Sequence, residues 1–186
     1  ITPQYNVFKE DQLKEPGDLL KLPSDAYIEG YWQYHQYPET ISGDLRNEFS
    51  FKSRLPDHCL PYVGKIKKNT SICIVFRRGD FVNHPFLDII KLDFYYAAIS
   101  IMLGKLSSPM FYIFSDDLVW CKENFNSPGC NYEFVDQELT GPNAEYYLQL
   151  ITSCDHFIIP NSTFAWWGAW LGKNQHKIVI APAKWH

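Results

Sequence analysis

From residue 71 onward, apolar runs of strand length alternate with longer segments whose apolar positions repeat at helical spacing. The run SICIVF (71–76) is continuously apolar, which is typical of a strand buried on both faces. In LDFYYAAISIMLGKL (92–106), the apolar residues between Phe94 and Ile101 follow the i, i+3, i+4, i+7 spacing of an amphipathic helix. Asp93 is the predicted cap of this helix.

The same pattern continues to the end of the chain. Further strands are predicted at 110–114, 132–135, 156–160 and 177–182, and further helices at 116–125, 143–154 and 162–172. Strands that alternate with helices predict βαβ units, and therefore an α/β fold with a parallel sheet and helices on both faces. We expect a Rossmann-like portion at 69–186 and an N-terminal portion at 1–68. In the latter, 25–32 is predicted to hold a short strand and 38–51 a helix, whereas 52–70 is ambiguous.

Composition excludes some classes of protein. The 186 residues carry a net charge of −4, so there is no global basic field for nucleic acid. The five cysteines show no metal-binding spacing; Cys73 and Cys154 lie in apolar runs, which favours buried thiols and a reducing compartment. No run reaches the length of a membrane span and no signal peptide is evident. Because the chain begins with Ile1, a missing or processed N-terminus is expected.

Three polar clusters follow three different predicted strands. They are RRGD (77–80), SDD (115–117) and PNST (160–163). In open parallel α/β sheets, ligands bind just beyond the carboxyl ends of the strands. The sequence therefore predicts that the three clusters converge on one ligand site.

The arginine pair suits an anion. A guanidinium matches two phosphate oxygens at once, and neighbouring strand residues point to opposite faces, so only one of Arg77 and Arg78 is expected to contact the ligand. Gly79 permits a tight turn, and Asp80 could orient an arginine or cap the next segment. A purely structural ion pair is the alternative. The Arg-Gly-Asp tripeptide of adhesion proteins is disfavoured, because it requires an exposed loop tip on a secreted protein.

The second cluster has two interpretations. A carboxylate of Asp116 or Asp117 could accept the N1–H and 2-amino hydrogen bonds of a guanine, a donor pair that adenine lacks. Alternatively, Ser115 or Asp116 caps the next helix and Asp117 lies in its first turn. A metal site is disfavoured, because no suitable partner ligands are evident.

The third cluster is predicted to begin a helix. The free N–H groups and the dipole at such a helix start favour a phosphate, and hydroxyls add donors. The same residues match an N-glycosylation acceptor, which is discounted at a ligand-facing position. The bulky side chains that follow are predicted to be core, with small residues between them for close packing: Trp166, Trp167 and Trp170.

Together, RRGDF, FSDD and NSTFAWWGAWL, in this order, resemble the α-1,2-fucosyltransferases of glycosyltransferase family 11. GYWQYHQY (30–37) is similar to a segment that precedes the donor domain of that family, and the resemblance covers about residues 27–182. It implies the donor-binding half of a GT-B-type enzyme. The implied reaction is an inverting transfer of fucose from GDP-fucose to a galactose-type acceptor in α-1,2 linkage, with no metal or other cofactor required.

The resemblance also implies roles for residues and partners. Arg77 matches the arginine that holds the β-phosphate region, and Arg77 and Asp80 are the implied catalytic residues. The implied donor-binding residues are Arg77, Arg78, Ser115, Asp116, Asp117, Asn161, Ser162, Thr163 and Phe164. The partners are GDP-fucose and a galactose-containing glycan, with no nucleic acid. The expected location is the cytoplasm, with peripheral membrane association through the glycan acceptor, or the Golgi lumen in a eukaryote.

Two departures from the family pattern leave an alternative open. Val75 stands where the family has a histidine that helps to hold the nucleotide. The N-terminal segment of the family is also absent, so most of the acceptor-binding domain is expected to lie outside this chain. The alternative is a non-catalytic homologue that binds a nucleotide sugar.

Overall fold

The computed structural model describes residues 6–13, 15–82, 84–85, 89–136, 138 and 144–185. The chain divides into two compact units, Ile1–Ser50 and Phe51–His186. Within the described residues, no helix is both long enough and apolar enough to cross a bilayer.

The smaller unit is built on two parallel strands, β1 (Asn6–Lys9) and β2 (Ala26–Glu29), followed by two short helices, α1 (Gln36–Thr40) and α2 (Ser42–Glu48). The predicted strand in 25–32 is confirmed. The single helix predicted over 38–51 is wrong, because the chain leaves helical geometry at Ile41, with φ −125° and ψ 30°. A serine and a glycine follow this residue, and both are weak helix formers, so nothing local carries one helix across the break.

The larger unit is a five-stranded sheet in which every strand pair is parallel, in the order β5-β4-β3-β6-β7. The strands are β3 (Ser71–Phe76), β4 (Met110–Ser115), β5 (Asn131–Phe134), β6 (His156–Ile158) and β7 (Val179–Ile180). The helices are α3 (Leu60–Lys68), α4 (Leu92–Lys105), α5 (Leu118–Asn124), α6 (Ala144–Thr152) and α7 (Thr163–Leu171). The predicted α/β class and parallel sheet are confirmed.

The strand order fixes where a ligand can enter. From β3 the chain moves outward to β4 and β5, then returns to the other side of β3 for β6 and β7. The order therefore reverses between β3 and β6. In open α/β sheets, this reversal opens a crevice at the carboxyl ends of the two strands.

The central strand β3 divides its side chains between two cores, and all six of its residues are buried. Cys73 and Val75 face a core that includes residues of α3, α6 and α7. Ile72, Ile74 and Phe76 face a second core with residues of α4 and α5. The result is the predicted layer of helices on each face of the sheet.

Some details differ from the predictions. The N-cap of α4 is Lys91, and Asp93 lies in the first turn, so the predicted cap is wrong. The ambiguous stretch 52–70 contains α3, which precedes the predicted division at residues 68–69 and nevertheless contributes Ile66 to the core of the sheet. Pro61 fits in the first turn of α3, where no intrahelical N–H bond is lost. The first residue of the helix predicted over 143–154 lies outside the described residues.

The cysteines fit their predicted place. All five are free thiols, and Cys73 and Cys154 are buried. Burial raises the pKa of the Cys73 thiol well above its usual range, so this residue behaves as an apolar core side chain.

Candidate active site

The three polar clusters follow the ends of three neighbouring strands. The β3–β4 register pairs Phe76 with Ser115, so the arginines that follow β3 are level with the acids that follow β4. The β3–β6 register pairs Ile74 with Ile158, which brings Asn161 to the same edge on the other side of β3. The RRGD and PNST clusters therefore border the crevice at which the strand order reverses, and the SDD cluster lies next to RRGD, one strand further from β6.

Arg77 is held between two carboxylates. Its Nη2 lies 2.7 Å from Oδ1 of Asp80, and its Nη1 lies 2.8 Å from Oδ2 of Asp116. The guanidinium also lies over the ring of Phe81, 5.6 Å from the ring centre. The side chain is nevertheless 35% exposed. Arg77 is thus oriented by protein groups and still accessible to an anion.

Arg78 points to the opposite face, as the alternation of strand residues predicts. Its guanidinium lies 3.6 Å from the centre of the Trp120 ring on α5, and its Nε donates to Oδ2 of Asp117 at 3.3 Å. The side chain is only 15% exposed. Arg78 therefore fastens α5 to the end of the sheet. It does not form the exposed tip that an adhesion tripeptide would require.

Asp116 fixes the turn after β3. Its Oδ1 accepts from the backbone N–H of Arg78 at 2.9 Å, and its Oδ2 accepts from that of Gly79 at 3.1 Å. A Cβ atom on Gly79 would lie 2.8 Å from the same Oδ2, so glycine is required for this close approach. The carboxylate thus orients both the backbone of the turn and the side chain of Arg77.

Asp117 is the N-cap of α5, and the hydroxyl of Ser115 accepts a hydrogen bond from its backbone N–H. Oδ1 of Asp117 accepts from the backbone N–H of Trp120 at 3.1 Å, and its own N–H donates to the hydroxyl of Ser115 at 2.9 Å. Ser115 is 1% exposed, and its backbone N–H donates to the hydroxyl of Tyr147 at 2.7 Å. Burial raises the pKa of Tyr147 strongly, so this phenol stays protonated. The predicted contact of Ser115 with the sugar-nucleotide donor stays a prediction.

The start of α7 offers backbone N–H groups to the same edge. Ser162 is the N-cap, and its hydroxyl accepts from the N–H of Ala165 at 3.5 Å. Asn161 is buried and donates through Nδ2 to the carbonyl of Trp185 at 3.1 Å. Thr163 is exposed, whereas Phe164 packs against the core on the α3 face of the sheet. Thr163 is therefore the side chain of this cluster with the most open access.

The prediction that the tryptophans of α7 are core is confirmed only in part, because all three are half-buried and Trp166 packs against the core on the α3 face. The fully buried face of the helix consists of small residues, namely Ala165, Gly168 and Ala169, and a Cβ on Gly168 would overlap the side chain of Ile151 on α6. Close packing of the two helices therefore needs these small residues, which confirms that part of the prediction. The indole rings lie half-buried and in mutual contact: Trp166, Trp167 and Trp170.

Sequence reasoning missed the residues that brace this edge. Trp120 was assigned only to a helix, yet its ring supports Arg78. Tyr147 was also assigned only to a helix, yet its hydroxyl holds the end of β4. The helical period of each segment could place these rings on an inner face, but not opposite a particular partner. Among the described residues, no three His, Cys, Asp or Glu side chains are grouped so as to hold a metal ion.

The larger unit is a Rossmann-like α/β domain with an oriented arginine at its switch point, the place at which such folds bind their ligands. Residues 4–186 match the family described as Glycosyl transferase family 11. The chain therefore belongs to glycosyltransferase family 11.

Three relatives illustrate the range of the similarity. An O-antigen biosynthesis glycosyltransferase WbnK of Escherichia coli is 32% identical over 122 residues, which cover 59% of this chain and 37% of that protein. An alpha-1,2-colitosyltransferase of Escherichia coli is 30% identical over 166 residues, covering 84% and 54%. The galactoside 2-alpha-L-fucosyltransferase SEC1 of Bos taurus is 25% identical over 179 residues, covering 89% and 46%. The chain thus spans about half the length of the curated relatives it matches, or less.

Proposed function

We propose that this chain is the donor-binding half of a GT-B-type α-1,2-fucosyltransferase. It would bind GDP-fucose and support inverting transfer of the sugar to a galactose-type acceptor. The observation that carries the proposal is Arg77, a partly exposed and oriented guanidinium at the point where the strand order reverses. Names of the relatives support an α-1,2 linkage, and they mention either fucose or colitose as the transferred sugar.

In the proposed reaction, an acceptor hydroxyl oxygen attacks the anomeric carbon of the donor sugar. The bond from that carbon to the β-phosphate oxygen breaks, GDP leaves with the electron pair, and the hydroxyl proton passes to a base. Negative charge grows on the β-phosphate as this bond breaks. A fixed arginine beside that phosphate stabilises the transition state more than the ground state, so the proposal requires no metal.

The two ion pairs of Arg77 differ in how easily a phosphate can replace them. The Asp80 carboxylate is 63% exposed, and exposed ion pairs contribute only about 0–1 kcal/mol. The Asp116 carboxylate is 22% exposed and also accepts two backbone N–H groups. A phosphate is therefore expected to displace Asp80 and to leave Asp116 in place. Asp80 then belongs to the catalytic site as the group that holds Arg77 before the donor binds.

The start of α7 supports the same ligand from the other side of the crevice. Two arginines face three aspartates at the ends of β3 and β4, so these side chains alone provide no net positive charge. The N–H groups and the dipole of α7 add positive potential without a charged side chain. We assign Thr163 and the backbone at Ser162 to the phosphates.

A second candidate is a homologue that binds the nucleotide sugar without transferring it. Val75 favours this candidate, because an apolar side chain, buried in the core, occupies the position of the family histidine. Calorimetry with GDP tests both candidates, since both require binding. Release of GDP from GDP-fucose, with and without a galactoside, separates them, because only the enzyme transfers the sugar. An absence of GDP binding would contradict both.

A further inference from the structure

A cavity in the larger unit lies apart from the arginine cluster. It has a volume of about 290 Å³ and opens between the start of α3 and the carboxyl end of β5. Ligand pockets usually measure about 300–1,000 Å³, so this one suits one part of a larger ligand. Its lining residues are His58, Pro61, Tyr62, Lys65, Glu133, Asp136 and Glu138.

The alternation of strand residues puts the cavity and Arg77 on the same face of the sheet. Cys73 and Val75 face the core to which α3 contributes, and Arg77 is the next residue of this alternate series, one position beyond the end of β3. Arg78, in the other series, packs on α5 at the opposite face. An anion held by Arg77 therefore lies on the side of the sheet where the cavity opens.

The distance between them suits a nucleotide. Strand β5 is two places from β3 in the sheet, and neighbouring strands are about 4.7–4.9 Å apart, so the two strand ends are roughly 10 Å apart. A ribose and an α-phosphate must bridge this distance if the β-phosphate binds Arg77 and the base enters the cavity. That is the order of groups in a nucleoside diphosphate.

Asp116 and Asp117, which follow β4, already accept hydrogen bonds from protein groups. Asp116 accepts from two backbone N–H groups and pairs with Arg77. Asp117 accepts from Trp120 through one oxygen and from Arg78 through the other. A base could use either carboxylate only by displacing these donors. Base recognition therefore needs acceptors elsewhere.

The cavity provides such acceptors. Lys65 forms an ion pair with Glu133, which neutralises the one lysine of the lining. Oδ1 of Asp136 accepts from the N–H of Glu138 at 3.0 Å, and no hydrogen bond is made by its Oδ2 within the described part of the chain. The backbone N–H of Asp136 donates to the hydroxyl of Tyr62 at 3.2 Å, which fixes the position of this acid.

We propose that this cavity is the base subsite of the donor nucleotide, that Asp136 selects guanine, and that Tyr62 positions Asp136. The inference rests on the proposed function. The Watson–Crick edge of guanine presents two neighbouring donors, N1–H and the 2-amino group, which suit a carboxylate. Adenine presents its amino group beside an unprotonated N1, and that nitrogen would repel the same carboxylate.

The test is calorimetric binding of GDP, ADP and pyrophosphate to this 186-residue chain and its variants. Asp136→Asn should weaken GDP binding about 10- to 100-fold, because a hydrogen bond to a charged group is lost, and should leave pyrophosphate binding unchanged. Tyr62→Phe should weaken GDP binding less and also lower the GDP-to-ADP preference, since the ring remains but the acid is no longer held. Glu123→Gln removes the same charge from an exposed site on α5 and should change nothing.

The outcomes separate the subsite from the proposed function. Suppose that Arg77→Ala no longer binds GDP, while Asp136→Asn still prefers GDP to ADP as strongly as the unmutated chain does. This result would contradict the assignment of the cavity as the base subsite and would leave the proposed function intact. Loss of the preference in Asp117→Asn alone would move base recognition back to the end of β4, and would also overturn the subsite. If the unmutated chain binds no GDP, the function and the subsite fail together. Thermal melts of each variant establish that it is folded.

Discussion

Arg77 is the residue on which the proposed chemistry depends. We predict that Arg77→Ala lowers the transfer rate about 10²–10³-fold, because one well-placed donor to developing charge contributes about 2.7–4 kcal/mol. Arg77→Lys should fail largely as well, since a point charge does not replace a planar fork. The fold should survive, because Asp116 keeps both of its backbone donors. Release of GDP from GDP-fucose is the measurement, with the exposed Arg54→Ala as the control. Turnover by Arg77→Ala at the unmutated rate would contradict the phosphate assignment.

Gly79 and Gly104 form a matched pair for stability. A Cβ on Gly79 would approach the carboxylate that binds the N–H of Gly79 itself, so Gly79→Ala should break this contact and destabilise the turn by about 1–3 kcal/mol. Nothing lies within 4 Å of a Cβ on Gly104, which is in the last turn of α4 and has helical backbone geometry. Gly104→Ala should therefore stabilise the protein by about 0.4–1 kcal/mol. Urea unfolding midpoints measure both changes, and a shift of the same sign in both variants would refute the explanation.

At the scale of single residues, the sequence predicts which residues lie at the candidate site better than it predicts the contacts that each of them makes. The location of Arg77 and Asp116 after strands follows from the apolar runs before them. That Asp116 bonds the backbone after β3 depends on the β3–β4 register, which the pattern of one strand does not specify. The cavity beside Tyr62 escaped prediction for the same reason, since it joins segments far apart in the chain.

At the scale of elements, the β6–β7 edge contains a pH-sensitive contact. His156 begins β6, is buried, and accepts through Nδ1 from the backbone N–H of Ile178 at 3.0 Å. Burial lowers the pKa of His156 below its usual 6.5, and the neighbouring Asp155 opposes this only in part. Protonation would replace the acceptor by a donor, so the native state requires neutral His156.

We therefore predict that stability falls as the pH decreases below about 6.5. The unfolded chain takes up a proton there while the folded chain resists it, so the contribution of His156 is complete above the unfolded pKa and is lost towards the lower folded pKa. His156→Asn keeps an acceptor oxygen and should flatten the dependence of the melting temperature between pH 8 and 5. The exposed His176→Asn should not. Identical pH dependence in the unmutated protein and His156→Asn would contradict the assignment.

Element order was predictable because continuous apolar runs of strand length and the 3.6-residue period of the helices are both strong from residue 71 onward. Errors arose where tertiary contacts decide. The tryptophans of α7 look like a fully buried stripe, but Gly168 allows α6 to approach on the small-residue face, and the indole rings stay half-buried. In the smaller unit, weaker patterning left the break at Ile41 undetected.

At the scale of the whole molecule, the strand order of the sheet is stronger evidence for the position of the proposed donor site than any single sequence motif. Four parallel pairings put β3 at the centre, with β4 and β6 beside it. The sequence alone predicts parallel strands, but the order could not be read from it, because every crossover helix is compatible with more than one neighbour. Once the order is known, the crevice between β3 and β6 follows, and with it the position of Arg77 opposite the start of α7.

The last prediction concerns this chain as a unit of function. We expect the 186 residues to bind GDP and to transfer fucose poorly by themselves. The larger unit contains the groups proposed to hold the donor, namely Arg77, Thr163 and the cavity at Asp136, and the chain spans only 37% to 54% of the length of the three relatives described. In a two-domain glycosyltransferase, the acceptor is oriented by the other half, and such orientation accounts for roughly 7–11 kcal/mol of the barrier. Without it, the acceptor hydroxyl is not held at the anomeric carbon and water competes for the donor.

GDP affinity and fucosyl transfer to a galactoside should be measured for this chain and for a longer protein that contains it. Equal affinity with much slower transfer by the short chain is the expected result; equally fast transfer would mean that these residues already orient both substrates.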